Sequence, residues 1–161
     1  MGVYGRVMMG IAKRAEAVPL LHNVFVPVDR FVYRATKGRA SLVHLGAGNA
    51  QVMQNLLLRT VGRKSGRRRD SPVLFLDHDG GYVVVGSRYG TDTHPGWTYN
   101  LLADPQATVV VRGREERVTA RRLRPDELST LWPQLLELYP AWPDYRERTD
   151  RTFRAFHLTP G

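Results

Sequence analysis

The chain has 161 residues and carries 24 Lys+Arg against 15 Asp+Glu, a formal net charge of +9, on a length that suits one domain with a core of its own. It has no cysteine, which excludes a disulfide framework, a thiolate metal site and a cysteine nucleophile, and 42% hydrophobic with 24% charged residues excludes the disordered and collagen-like classes. The charge is local: through Arg69 there are 13 basic and two acidic residues, Glu16 and Asp29, against 11 basic and 13 acidic from Asp70 onward, so the first part should attract nucleic acid, an anionic membrane or an acidic small molecule.

Met1 to Val18 spreads Arg6, Lys13 and Arg14 along its length and lacks the compact apolar stretch and cleavage site of a signal peptide, so a cytoplasmic protein is expected. The pattern predicts helices over residues 4–17 and 20–36, with Pro27 kinking the second or starting its better half. Leu20, Leu21, Val24, Phe25, Val28, Phe31 and Val32 form one apolar stripe, with Arg30 and Arg34 nearer the other side. Such a stripe either packs on the body of the protein or docks at a lipid surface, here the inner face of the plasma membrane. His22, Asn23, Asp29 and Arg30 interrupt it far short of the ~18 apolar residues of a spanning helix. The glycine-rich Gly38 to Asn49 is a loop or linker, so residues 1–49 are expected to pack on the barrel formed by residues 50–161 or on a membrane surface, within a single domain overall.

From Gln51 the pattern is that of strands. Leu56–Thr60, Pro72–Leu76, Tyr82–Ser87, Thr108–Arg112, Glu116–Leu123 and Thr152–Leu158 are short β-branched or aliphatic runs, and Gly62–Gly66, Asp77–Gly81 and Gly113 supply turn chemistry between them. A short helix is expected over His94–Ala103, ended by Asp104-Pro105. A stronger one is expected over Pro125–Tyr139, where Pro125, Asp126 and Glu127 occupy the first turn. About six mainly antiparallel strands with helices inserted late and added early give an α+β class, the sheet rolled into a barrel to hide its edges.

The familiar chemical motifs are absent. The histidines at 22, 44, 78, 94 and 157 never fall at a two-ligand metal spacing. Gly46-Ala-Gly48 has Gln51 where a dinucleotide fingerprint needs its third glycine, Gly62 to Gly66 is not followed by the lysine of a Walker loop, and Ser87 stands one place too early for a nucleophile elbow. What remains is the run Thr60 to Pro72, in which five of the seven residues from Arg63 to Arg69 are basic and two glycines sit at a hairpin tip. Such a tip can cradle phosphate or carboxylate through backbone amides and charge-assisted hydrogen bonds, or it is a solvated end that keeps the protein soluble. A nucleic-acid patch would want exposed aromatics or a recognisable motif nearby, and neither stands there.

Leu57-Leu-Arg-Thr-Val-Gly-Arg-Lys-Ser-Gly66, then Arg69 and Pro72, Gly86-Ser87, His94-Pro-Gly-Trp97, Asn100-Leu-Leu-Ala-Asp-Pro105, and Trp132 to Pro140 with Asp144-Tyr145 together resemble the deazaflavin-dependent nitroreductase family, over about residues 20–158. The resemblance implies a split β-barrel. It also implies an oxidoreductase that uses reduced 8-hydroxy-5-deazaflavin, coenzyme F-420, to reduce quinones and, adventitiously, nitroaromatic compounds. That coenzyme carries a phosphodiester and an oligoglutamate tail, which suits a basic hairpin; flavin mononucleotide, with one phosphate and no tail, is the alternative within the same barrel. A non-catalytic module that binds anionic membrane or nucleic acid is the alternative outside it.

By the resemblance, Arg63, Lys64, Ser65, Gly66 and Arg69 would hold the phosphate and tail, Lys64 and Arg69 by charge and Ser65 and Gly66 through their amides. Ser71 and Pro72 would line the path to the ring, and Val85, Gly86, Ser87 and Arg88 would flank it. Trp97 and Asn100, three residues apart, share a helix face that would turn toward the coenzyme, although core packing is equally expected of Trp97. Tyr139, Trp142 and Tyr145 would form the acceptor's aromatic wall, with Tyr139, Tyr145 or Ser87 as hydrogen-bond or proton donors, or solvent in their place. Trp142 stands where nitro-reducing members have another tyrosine, which keeps the aromatic surface, loses a hydroxyl, and favours a quinone-like acceptor over bulky nitro compounds. A homo-oligomer is compatible with this reading.

Overall fold

The computed structural model describes residues 54–161 together with Val28, Phe31, Val32 and Ala35. The expected helix over 4–17, most of that over 20–36 and the Gly38–Asn49 linker lie outside the described residues. So does the expected packing of residues 1–49 on the barrel or a membrane surface.

Six strands, β1 (Asn55–Val61), β2 (Arg68–His78), β3 (Gly81–Gly86), β4 (Gln106–Val111), β5 (Arg114–Arg122) and β6 (Arg154–Pro160), close into an antiparallel barrel in the order β1-β2-β3-β6-β5-β4. β1 pairs with β4 to seal it, with Leu57 opposite Val110. All six expected strands are present, and the turn residues explain two of the corners. Asp79 (φ 46°) with Gly80 (φ 69°) and Arg112 (φ 50°) with Gly113 (φ 82°) place two successive residues in the left-handed region, the backbone that two-residue hairpins require to match strand twist.

Alternation along the strands sorts the core into two layers. Leu56, Leu58, Phe75, Val84, Val109, Val111, Val118, Ala120, Phe156 and Leu158 fill the barrel. Helix α1 (Gly96–Ala103) stoppers one end by inserting Trp97 and Leu101 into that interior. On the outer face, Val83, Val85 and Ala155 are covered by α2 (Pro125–Leu138) and α3 (Trp142–Glu147) through Leu131, Leu135, Trp142 and Tyr145. α2 starts where expected: Pro125 occupies the first turn, and the Arg124 amide donates to Glu127 Oε2 at 2.8 Å. α3 was not expected from the sequence, since six residues are too short for a helical period to register.

Candidate functional site

The β1–β2 hairpin carries the basic run, and Asn100 pins it to α1. Buried Asn100 donates from Nδ2 to Thr60 Oγ1 at 2.9 Å and accepts the Arg63 amide on Oδ1 at 3.2 Å. Asn100 therefore ties the hairpin to α1 at the barrel mouth. Trp97 shares that inward face: it is 7% exposed, with its ring edge-on to Phe156 at 5.8 Å. Of its two expected placements, the structure selects core packing.

Within the hairpin the cations part company. Register pairs Arg68 with Val61 and Arg69 with Thr60, so Arg69 lies on the face of Thr60, toward α1, while Arg68 lies on the opposite face with Arg59 and Asp70. There Glu115, from the start of β5, takes Arg59 and also Arg68, the latter at 3.4 Å. Lys64, Arg67 and Arg69 are exposed, and among the described residues no carboxylate pairs with them. Ser71 shares Arg69's face, opposite Leu58, but Pro72 lies on the other, opposite Leu57; the two do not line one path as expected.

The amides expected to hold phosphate are already spent. Ser65 N–H and Gly66 N–H both donate to Gly62 O, at 3.0 and 2.8 Å, and Arg67 N–H donates to Ser65 Oγ at 3.4 Å. An anion at this tip is met by side chains: Lys64, Arg67, Arg69 and the Ser65 hydroxyl proton, which its accepted bond leaves available.

The turn after β3 is held by a residue that the sequence did not single out. Arg151 Nε donates to Thr91 O at 2.6 Å, Nη1 to Gly86 O at 3.2 Å, and Nη2 to Ser87 O. Nη1 also lies 3.1 Å from His94 Nδ1. Arg88 and Tyr89 inside this turn have φ of 46° and 55°, a conformation that costs non-glycine residues and persists only where surroundings enforce it; Arg148 adds a bond to Tyr89 O at 3.3 Å. The Arg88 guanidinium itself is engaged by Thr93 Oγ1 and His94 O, at 2.7 and 3.3 Å. Gly86 does not face a cleft, because a Cβ there would meet Thr98 Cγ2 at 2.7 Å: its lack of a side chain lets α1 close on β3. Val85 likewise is 8% exposed under α3. Ser87 remains: half-buried, its backbone pinned and its hydroxyl without a partner among the described residues.

A guanidinium only donates, so His94 Nδ1 is the acceptor from Arg151 and the imidazole proton sits on Nε2. Burial, with Arg154, Arg151 and Arg122 adding like charge, pulls the His94 pKa down to about 4. The unfolded chain takes up this proton near pH 6.5 and the folded one only near 4, so between these values acid removes stability. We expect melting temperature to fall as pH drops from 6.5 to 4. The His94→Asn variant, which keeps an acceptor in place of Nδ1, should lose less over the same range. Parallel melting curves for the two proteins would contradict this assignment.

The aromatic trio is not an open wall. Trp142 and Tyr145 are 2% and 1% exposed; Trp142 stacks on Trp132 at 5.8 Å, and the Tyr145 and Tyr139 hydroxyls bond each other at 2.8 Å. Burial raises both phenol pKa values, which keeps both protonated near neutrality and makes each a weaker acid than a free phenol. Trp142 and Tyr145 are packed in covering β3 and β6, while Tyr139 stays half-buried at their edge.

A polyanionic deazaflavin fits what is present among the described residues: a tip of cations without acid partners and a turn that presents the unpartnered Ser87 hydroxyl. The sequence profile of the family described as F420H(2)-dependent quinone reductase matches residues 31–160. A Mycobacterium tuberculosis protein described as an F420H(2)-dependent quinone reductase is 30% identical over 80% of this chain and 85% of its own length. A solved structure described as an F420-H2 dependent reductase superposes with a TM-score of 0.59 at 32% identity, covering 65% of this chain and 93% of that one. A second solved structure, described as a domain-swapped dimer, gives 0.61 at 28% identity over 81% and 96%.

Proposed function

The chain belongs to the F420H(2)-dependent quinone reductase family, and from that membership we propose that it passes hydride from reduced coenzyme F-420 to a quinone-like, planar conjugated acceptor. The observation that carries this reading is the hairpin tip, where Lys64, Arg67 and Arg69 stand exposed with no carboxylate partner among the described residues. Several cations in a row suit a ligand with several negative charges along its length better than the single phosphate of flavin mononucleotide.

When bound, the coenzyme supplies the hydride, the hard part of the chemistry. The chain's residues do the rest. Lys64, Arg67 and Arg69 bind the anionic part, and the Ser65 hydroxyl adds a donor. Asn100 ties the hairpin to α1, and Arg151 holds Ser87 so that its hydroxyl can donate to an oxygen or nitrogen at the reacting end. Burial makes both tyrosine phenols weaker acids, which favours solvent as the source of the proton that completes reduction of the acceptor.

Val28 and Phe31, helical and 46% and 73% exposed, support a peripheral membrane contact by the apolar stripe, which would bring the enzyme to a lipid-soluble quinone from the cytoplasmic side. Among the described residues no helix is long and apolar enough to cross a membrane. The domain-swapped dimer among the similar structures supports a homo-oligomer. Anaerobic oxidation of the reduced coenzyme is the test: turnover is expected with a soluble quinone and much less with a bulky nitroaromatic. No oxidation with any quinone would overturn the proposal.

A further inference from the structure

Arg154 opens β6 as the register partner of Gly86, on the same face as Phe156 and Leu158, which places it at the barrel mouth beside α1. Its guanidinium carbon lies 4.5 Å from the centroid of the Tyr99 ring. The Arg63 guanidinium carbon, reaching over from the hairpin, lies 4.5 Å from the same centroid, so the two cations are no more than about 9 Å apart. Among the described residues neither has a carboxylate partner. Arg154 Nε and Nη1 are buried with no hydrogen-bond partner among the described residues, and Nη2 is not among these buried atoms.

This arrangement is expensive for the protein alone. Buried guanidinium donors without acceptors forfeit their hydration, and one aromatic face attracts a cation but does not relieve the repulsion between two. Like charge is felt nearby as well, since Arg154, Arg151 and Arg122 all act against protonation of His94. An oxyanion between Arg63 and Arg154 offsets these costs, because it accepts from the open Arg154 nitrogen and the Arg63 guanidinium and screens each cation from the other.

We propose that Arg63 and Arg154, set about the Tyr99 ring, form an oxyanion subsite that holds a carboxylate or phosphate of the bound coenzyme, apart from the group held by Lys64, Arg67 and Arg69. The inference rests on the reading that the ligand carries several negative groups. Arg63 belongs to both halves of the site and links the hairpin tip to β6, while Arg154 and Tyr99 give the second half its own anchor.

The test is a fluorescence titration of Arg154→Gln and Arg154→Lys with two probes, the intact coenzyme and 8-hydroxy-5-deazariboflavin, which lacks phosphate and tail. Arg154→Gln should weaken binding of the intact coenzyme about 10-fold or more, the loss of one charged hydrogen-bonding partner. Arg154→Lys should weaken it less, and binding of the tail-less probe should not change. Arg154→Gln should melt no lower than the parent, because a buried unpaired charge is removed. Unchanged affinity for the intact coenzyme, or equal loss for both probes, overturns the subsite. A rise in KM for an acidic acceptor with coenzyme affinity unchanged also overturns it and assigns the oxyanion to the acceptor. If Lys64→Ala and Arg69→Ala weaken coenzyme binding and Arg154→Gln does not, the subsite fails alone. If none of the three does, the polyanionic-coenzyme reading fails with it.

Discussion

Replacing Lys64 and Arg69 together by alanine should weaken coenzyme binding by about 100-fold or more while leaving the fold intact. Each side chain offers a charge-assisted hydrogen bond, worth about 1.5–3 kcal/mol when its partner is an anion, and two such losses multiply. Both residues are exposed and neither holds a carboxylate among the described residues, so stability should move by less than about 0.5 kcal/mol. Arg68→Ala is the internal control. Its guanidinium is committed to Glu115 on the opposite face of β2, and its removal should change affinity severalfold at most. Equal effects of Arg68 and Arg69 would mean that the hairpin acts through diffuse charge and not through placed side chains.

Trp142→Ala should cost about 3–5 kcal/mol of stability, the range for emptying a large aromatic from a packed core. At roughly 2–4 °C per kcal/mol for a chain of this size, the melting temperature should fall by about 6–20 °C. The reason is geometric: Trp142 is 2% exposed, stacked on Trp132 and in edge contact with Tyr139. Trp142→Phe should recover most of the loss. A wall of an open acceptor site would behave otherwise, with acceptor KM rising and the melting curve little changed.

The barrel was legible because its strands are short apolar runs separated by turn residues; Asp79-Gly80 and Gly113 take the left-handed backbone they favour, and Arg112 is drawn into it beside Gly113. The basic hairpin was legible as a charge run. Which cations stay available was not, since Glu115 neutralises Arg59 and Arg68 from 56 and 47 residues away, and strand register alone separates Arg68 from Arg69. The amides of Ser65 and Gly66 are consumed by Gly62 O, a detail of loop closure that composition does not encode. The aromatic positions followed the resemblance, and packing on β3 and β6 redirected Trp142 and Tyr145 into the core. Arg151 and Arg154 gave no signal among eleven basic residues after Asp70. Their roles arise from what long-range pairing brings beside them: three carbonyls and an imidazole for Arg151, a tyrosine ring for Arg154.

The most direct measurement is a side-by-side titration of the purified protein into oxidised coenzyme F-420 and into flavin mononucleotide, followed by ligand fluorescence at physiological salt. The predicted result is a saturable change with the deazaflavin, abolished by the Lys64→Ala/Arg69→Ala double variant, and no saturable change with flavin mononucleotide. Tight binding of flavin mononucleotide, or deazaflavin binding that the double variant leaves untouched, would contradict the account.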